Sequence, residues 1–120
     1  MFTEKQNEAQ FLNMTRNAYG IYLFEHLVDS RAVRQNYKLA WYKALHPFDT
    51  LENIYARFTS ERKYSNLLQR SNGVPFGPGD VIAIKEGGIL TAWYVDMLAF
   101  SKLPGFFDGA GGKEGVTRAG

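Results

Sequence analysis

Residues 79–107 read GDVIAIKEGGILTAWYVDMLAFSKLPGFF, and they contain two short β-rich runs joined by Gly87-Gly88. A type I′ turn needs positive φ at both central residues, so a Gly-Gly link between such runs predicts a β-hairpin with a two-residue loop. The turn sets the register of the two strands. The predicted pairs are Glu86–Ile89, Ile84–Thr91, Ile82–Trp93 and Asp80–Val95.

Paired residues of a hairpin point to the same side of a sheet, which divides these side chains between two faces. The first face holds Ile82, Ile84, Ile89, Thr91, Trp93 and Val95. The second face holds Val81, Ala83, Lys85, Leu90, Ala92 and Tyr94. We predict that the first face is core, with Trp93 buried opposite Ile82, and that the second face is half-exposed.

Two further strands are predicted upstream, after an N-terminal helix. Phe11, Met14 and Ala18 lie at helical spacing and predict a helix over residues 1–18, which Gly20 ends. Residues 21–27 (IYLFEHL) are nearly continuously apolar and predict a buried strand. Residues 37–45 (YKLAWYKAL) alternate and predict a second strand, which His46-Pro47 ends because proline lacks a ladder donor. The side predicted to be apolar holds Tyr37, Leu39, Trp41 and Leu45.

The clearest helix pattern lies between the two pairs of strands, at residues 49–59 (DTLENIYARFT). Asp49 is predicted to cap this helix, with Glu52 completing a capping box. Its apolar stripe holds Leu51, Ile54, Tyr55 and Phe58, and is wide enough to lie across a sheet. Residues 71–79 (SNGVPFGPG) predict a loop, and residues 101–107 a short terminal turn.

The predicted fold is therefore α+β: a small antiparallel sheet of two β-hairpins with one helix packed across it, in a β-grasp-like ββαββ order, plus the N-terminal helix. We expect one domain over residues 1–107 and a flexible glycine-rich tail over residues 108–120.

Composition narrows the classes of function. The chain has 120 residues, 45% of them hydrophobic, and no cysteine, which excludes disulfides, thiolate metal sites and cysteine nucleophiles. No apolar run is long enough to span a bilayer, and we expect no secretion signal because the first residues show no basic region followed by an apolar one. We therefore expect a cytoplasmic protein without a membrane partner. The net charge of +2 is too small to indicate nucleic-acid binding by itself.

Residues 80–106 (DVIAIKEGGILTAWYVDMLAFSKLPGF) resemble the YodL-like domain, with its D-V-I hairpin, its Y-V-D motif and its closing G-F-x-x-[LV]-P-x-F motif. The upstream runs NYKLAWYKAL and TLENIYARF resemble that family's strand and helix, so the resemblance covers about residues 36–107, within a core of residues 19–107. Two departures stand out. The link RKYSNLLQRSNGVPFGPG at residues 62–79 is longer than the family's, and Ala99 stands where the family has glycine.

The resemblance implies a setting rather than a chemistry. Such domains recur on phage and conjugative elements of bacteria, beside antirestriction or DNA-processing modules, with no agreed enzymatic activity. It thus implies a non-enzymatic accessory protein that binds a host protein or ribonucleoprotein complex, such as an inhibitor of the anti-CRISPR or antirestriction type. The alternative is a nucleic-acid-binding accessory domain. A homodimer through an exposed edge strand is compatible with either.

Candidate catalytic residues are few. His26 lies within an apolar run and His46 in a turn, and neither has a partner at metal-ligand spacing, so we expect no metal and no cofactor. Asp80 and Asp96 are predicted near the open end of the hairpin. They form either a carboxylate pair or two separate structural groups, with Asp80 capping the loop and Asp96 bonding turn amides. We predict no catalytic residue.

Binding residues are predicted in the long link. Basic residues exceed acidic ones by four between residues 28 and 70, eight against four. A mobile connection beside a rigid helix and hairpin is where binding specificity is usually placed. The predicted partner-binding residues are Arg62, Lys63, Tyr64, Arg70 and Phe76. The alternative is that this stretch only extends the core.

Overall fold

The computed structural model describes residues 4–25, 31–68, 70 and 72–108. Its elements, in chain order, are α1 (Glu4–Leu12), β1 (Ala18–Phe24), a 3₁₀ turn (Arg34–Asn36), β2 (Tyr37–Ala44), α2 (Leu51–Ser60), α3 (Arg62–Ser65), β3 (Val81–Glu86), β4 (Ile89–Val95) and β5 (Phe100–Lys102). His26 and the glycine-rich tail from residue 109 onward lie outside the described residues.

The five strands form one open antiparallel sheet in the order β2-β1-β3-β4-β5. The α+β class is confirmed. The sheet is larger than the predicted two hairpins, because residues 100–102 pair with β4 as a fifth strand where a terminal turn was expected. The first hairpin joins the second through β1, which pairs with β3 as well as with β2.

The predicted register of the central hairpin is confirmed. Ile82 pairs with Trp93, and Glu86 pairs with Ile89 across the turn. Gly87 and Gly88 have φ values of 59° and 81°, as a type I′ turn requires. The hairpin could be predicted because its turn chemistry and its strand pattern are both local.

The N-terminal prediction needs correction. The first helix ends at Leu12, and Ala18 and Gly20 both lie in β1. Gly20 does not end a helix: it gives Phe11 room to pack against the strand, since a Cβ at Gly20 would lie 3.1 Å from the Phe11 ring and 3.2 Å from Leu39. Phe11 is fully buried and anchors α1 to the sheet, because its ring occupies the space that a side chain at position 20 would fill.

Polar contacts complete the attachment of α1. Arg34 forms two hydrogen bonds of 2.7 Å with the Glu8 carboxylate, and the Tyr22 hydroxyl donates a third at 2.7 Å. Burial alone would raise the pKa of Glu8, but the bonds from Arg34 and Tyr22 outweigh it and lower the pKa. The Lys85 ammonium donates to the carbonyl of Leu12, where the helix ends.

The predicted helix α2 is confirmed, but its cap is not Asp49. Thr50 is the N-cap residue, and its hydroxyl accepts a 3.1 Å bond from the Asn53 N–H. Asp49 instead pairs with Arg57, which lies in the last turn of the helix. The apolar stripe is as predicted, with Ile54 and Phe58 buried against the sheet.

A β-bulge changes which β2 residues share a face. Ile21 pairs with Trp41 while the next residue, Tyr22, pairs with Leu39, so Ala40 is an extra residue in β2. Because side chains alternate along a strand, one extra residue moves everything beyond it to the opposite face. Leu39 thus packs on one side of the sheet and Trp41 on the other, whereas the alternation predicted a single side.

The sheet has a core on each side. Helix α2 covers one face. The buried residues of this core, including Ile54 and Phe58 of the helix itself, are Tyr19, Ile21, Leu23, Ile54, Phe58, Phe76, Ile82 and Val95. Helix α1 and the segment around Phe106 cover the other, over Tyr22, Leu39, Val81, Ala83 and Ala92. The prediction that this second face is half-exposed was therefore wrong. The prediction that Trp93 is buried was wrong as well. Trp93 is half-exposed beneath the Lys102 ammonium, because α2 lies over β1 and β3.

Candidate functional site

A cleft of about 360 Å³ opens at the end of the sheet where β2 finishes. We call it the basic cleft; its lining residues are Tyr19, Lys43, Ala44, His46, Phe48, Asp49, Arg57 and Tyr64. Tyr19 and Lys43 are register partners on β1 and β2, so the paired strands supply one wall. Helices α2 and α3 supply Arg57 and Tyr64 from across the face.

The turn after β2 closes the cleft. The Asp49 N–H donates to the His46 carbonyl at 3.0 Å, and the Asp49 carboxylate accepts the His46 N–H at 2.9 Å. Between these two residues the chain passes through Pro47, and Phe48 projects outward with 86% of its surface exposed. The local hydrogen bonds therefore hold a large aromatic side chain in water.

Asp49 and Arg57 form a partly buried ion pair within the cleft, with 2.8 Å between Oδ1 and a guanidinium nitrogen. Burial acts to raise the pKa of Asp49, but the bonds from Arg57 and from the His46 N–H outweigh it, so the pKa is lowered. The bond to Asp49 in turn raises the pKa of Arg57. Both groups stay charged at neutral pH, and each compensates the other.

Within the described part of the chain, two lysines beside the cleft, Lys43 and Lys63, have no such carboxylate partner. Lys43 is exposed, and the Lys63 ammonium lies 5.2 Å from the centre of the Tyr64 ring. Arg57 lies over the same ring at 5.8 Å, and the ring packs edge-on against Phe58. The cleft therefore combines surplus positive charge with aromatic surface, which suits an acidic ligand.

The five predicted partner-binding residues do not form one surface. Tyr64 lines the basic cleft, Lys63 lies at its edge beside the Tyr64 ring, and Arg62 is exposed next to them in the chain. Phe76 is buried and packs against Tyr55, with 5.5 Å between ring centres. Arg70 is buried as well, with 7% of its side chain exposed. The last two are internal because the long link folds back onto the sheet.

Arg70 is the centre of that folded link. Its guanidinium binds the Asp80 carboxylate at 2.8 and 2.5 Å and donates to the carbonyl oxygens of Phe24, Val74 and Pro75. Asp80 also accepts the N–H groups of Phe24 and Gly77, both at 2.9 Å. The predicted role of Asp80 in capping the loop is confirmed.

The structure favours separate structural roles for the two aspartates rather than a carboxylate pair. Asp80 is fully buried and fully bonded, whereas Asp96 is exposed and its carboxylate accepts the Met97 N–H in the turn before β5. Within the described ranges, no group of three or more His, Asp or Glu residues is placed to hold a metal ion.

Of the eight described residues that line the cleft, the predicted partner-binding residues include Tyr64 and miss the other seven: Tyr19, Lys43, Ala44, His46, Phe48, Asp49 and Arg57. Phe48 carried a usable signal, because a phenylalanine directly after His-Pro lies outside both neighbouring apolar stripes. The Asp49–Arg57 pair carried none, since a helix cap and a cleft ion pair require the same residue type.

None of the described helices is long and apolar enough to cross a membrane.

Comparison with known families identifies a match. The sequence model of the YodL-like domain matches residues 10–106, which extends the resemblance carried by residues 36–107 back into α1. No curated protein and no solved structure matches the chain. The match spans all five strands and both helices that follow β2. This chain therefore belongs to the YodL-like domain family.

Proposed function

We propose that this chain is a non-enzymatic accessory protein that acts by binding a protein partner through the basic cleft. One observation carries the proposal: Phe48 stands 86% exposed at the edge of a concave, cation-lined surface. An aromatic side chain held in water gains free energy when a partner covers it, and aromatic residues with arginine are enriched where proteins bind one another.

The proposed setting is a bacterial mobile element or phage, in the cytoplasm of the host cell. There the protein would bind and restrain a host defence complex, of the kind that anti-CRISPR or antirestriction proteins inhibit. The support is the association that the YodL-like family implies, which concerns context and not mechanism.

A second candidate is a nucleic-acid-binding accessory domain. It is favoured by the grouping of Lys43, Arg57 and Lys63 around the Tyr64 ring, since cations beside an aromatic ring suit a single strand. It is disfavoured by Asp49, which already compensates Arg57 and would repel a phosphate.

Capture from a bacterial lysate, with and without nuclease, tests the proposal. Tagged protein should recover one host protein in a stoichiometric amount that nuclease treatment leaves unchanged. Phe48→Ser should lose that protein, whereas Met97→Ser should retain it. Met97 is a matched control because it is 82% exposed and follows the end of β4 opposite the basic cleft.

Three outcomes contradict the proposal in different ways. If nuclease treatment abolishes recovery of the host protein, the second candidate, a nucleic-acid-binding accessory domain, is supported instead. Equal recovery with Phe48→Ser and the unchanged protein removes the cleft from the interface. Loss with Met97→Ser alone moves the interface to the other end of the sheet.

A further inference from the structure

Resting on the proposed function, we infer that the basic cleft accepts an acidic segment of the protein partner. Carboxylates of that segment contact Lys43 and Lys63, and an apolar side chain packs on Phe48. The described residues of the cleft and its edge supply three cations, Lys43, Arg57 and Lys63, and the described lining supplies one carboxylate, that of Asp49.

The two lysines differ in this respect from the arginines that are packed into the fold. Elsewhere, Arg34 and Arg70 each have a carboxylate at 2.7 and 2.5 Å, and in the cleft Arg57 has Asp49 at 2.8 Å. Among residues 4–25, 31–68, 70 and 72–108, neither Lys43 nor Lys63 pairs with a carboxylate. Two charges beside one concave surface are thus left for an external acid.

Apolar surface accompanies the charge. Phe48 stands at the mouth of the cleft, and the half-buried Tyr64 ring forms part of its wall. An acidic side chain alone would gain little from exposed lysines in water. A segment that covers Phe48 while it pairs with the lysines also removes water from the ion pairs, which strengthens them.

The same features favour a protein segment over nucleic acid. Two uncompensated lysines can neutralise about two phosphates, whereas useful affinity for a nucleic acid comes from many such contacts. A cleft of about 360 Å³ holds a few side chains and is no continuous track for a strand.

Defined probes test this inference directly. We would titrate the full chain with a fluorescein-labelled decapeptide of alternating glutamate and leucine, its lysine-leucine counterpart and a labelled oligo-dT of similar length. The acidic peptide should bind, and its affinity should fall at least about tenfold in Lys43→Glu and in Lys63→Glu. Amide shifts on binding should centre on residues 43–49 and 63–64.

Lys38→Glu is the matched control, because Lys38 is also an exposed β2 lysine but pairs with Leu23 at the far end of the strand. It should retain at least about half of the affinity, and all three variants should keep their melting temperatures because exposed charges contribute little to folding. Equal losses at all three lysines, tighter binding of oligo-dT, or no acidic-peptide binding at millimolar concentration would each overturn the inference.

The inference and the proposed function can fail separately. If lysate capture depends on Phe48 but is unaffected by Lys43→Glu and Lys63→Glu, the cleft binds a partner whose contact is not acidic. If the acidic peptide binds at residues 43–49 but no host protein is captured, the cleft has the inferred chemistry and the proposed function is wrong.

Discussion

Replacing Arg70 with methionine should destabilise this protein more than any surface substitution. The change keeps most of the buried side-chain volume and removes the guanidinium. Among the described residues, this leaves the Asp80 carboxylate, which is 1% exposed, with the N–H groups of Phe24 and Gly77 as its remaining partners. The charge then remains buried without a counter-ion.

The magnitude follows from the bonds that are lost. Two charge-assisted bonds join Arg70 to Asp80, at 2.8 and 2.5 Å, and bonds to charged groups are worth about 1.5–3 kcal/mol each. Removing one partner of a buried ion pair costs about 3–5 kcal/mol, and we expect a loss in that range. Because small domains are stable by about 5–15 kcal/mol, the variant should be close to unfolding.

Urea unfolding followed by circular dichroism measures the loss. Arg62→Met is the control, since Arg62 is exposed on α3, and it should change stability by less than about 0.5 kcal/mol. The double variant Arg70→Met/Asp80→Asn buries no net charge. Its loss in free energy of unfolding should therefore be smaller than the sum of the losses in the two single variants. A loss below about 1 kcal/mol in Arg70→Met would refute the account of the folded link.

Three other predictions concern the core. Gly20→Ala should cost about 1–3 kcal/mol, since its Cβ would meet the Phe11 ring at 3.1 Å, and Phe11→Leu should reduce that cost. Phe58→Ala should cost about 3–5 kcal/mol and Trp93→Ala clearly less; equal losses in thermal unfolding would contradict the burial described. Burial, with the nearby charges of Tyr94 and Asp80, raises the pKa of Tyr37. The stability that the neutral Tyr37 contributes should be complete below pH about 10 and should decline above that pH. In alkaline unfolding, Tyr37→Phe should lack this part of the decline.

The features that the sequence predicts correctly are the local ones. The hairpin at Gly87-Gly88 and the apolar stripe of α2 need only the residues within them. The predictions fail where a distant segment decides. Trp93 is half-exposed because of where α2 lies, and a bulge at Ala40 separates Leu39 from Trp41.

The candidate site was predicted in part for the same reason. Lys63 and Tyr64 were identified from a charged and aromatic link, and they do lie at the cleft. Arg70 belongs to the same link and has the same composition signal. Its role depends on Asp80, which follows in the chain, and on the end of β1, which comes far earlier. No pattern within the link distinguishes a buried arginine from an exposed one.

The position of β1 in the sheet has a consequence for synthesis of the chain. β1 and β2 emerge from the ribosome before β3 and can pair at once, but the second neighbour of β1 is complete only when Lys85 emerges to pair with Ala18. Until then, a strand as apolar as AYGIYLF presents an open edge. Such edges are where nascent chains associate wrongly, and non-local pairing is slow. Production of fragments that end before β3 should therefore yield aggregates, whereas the full chain buries that edge on completion.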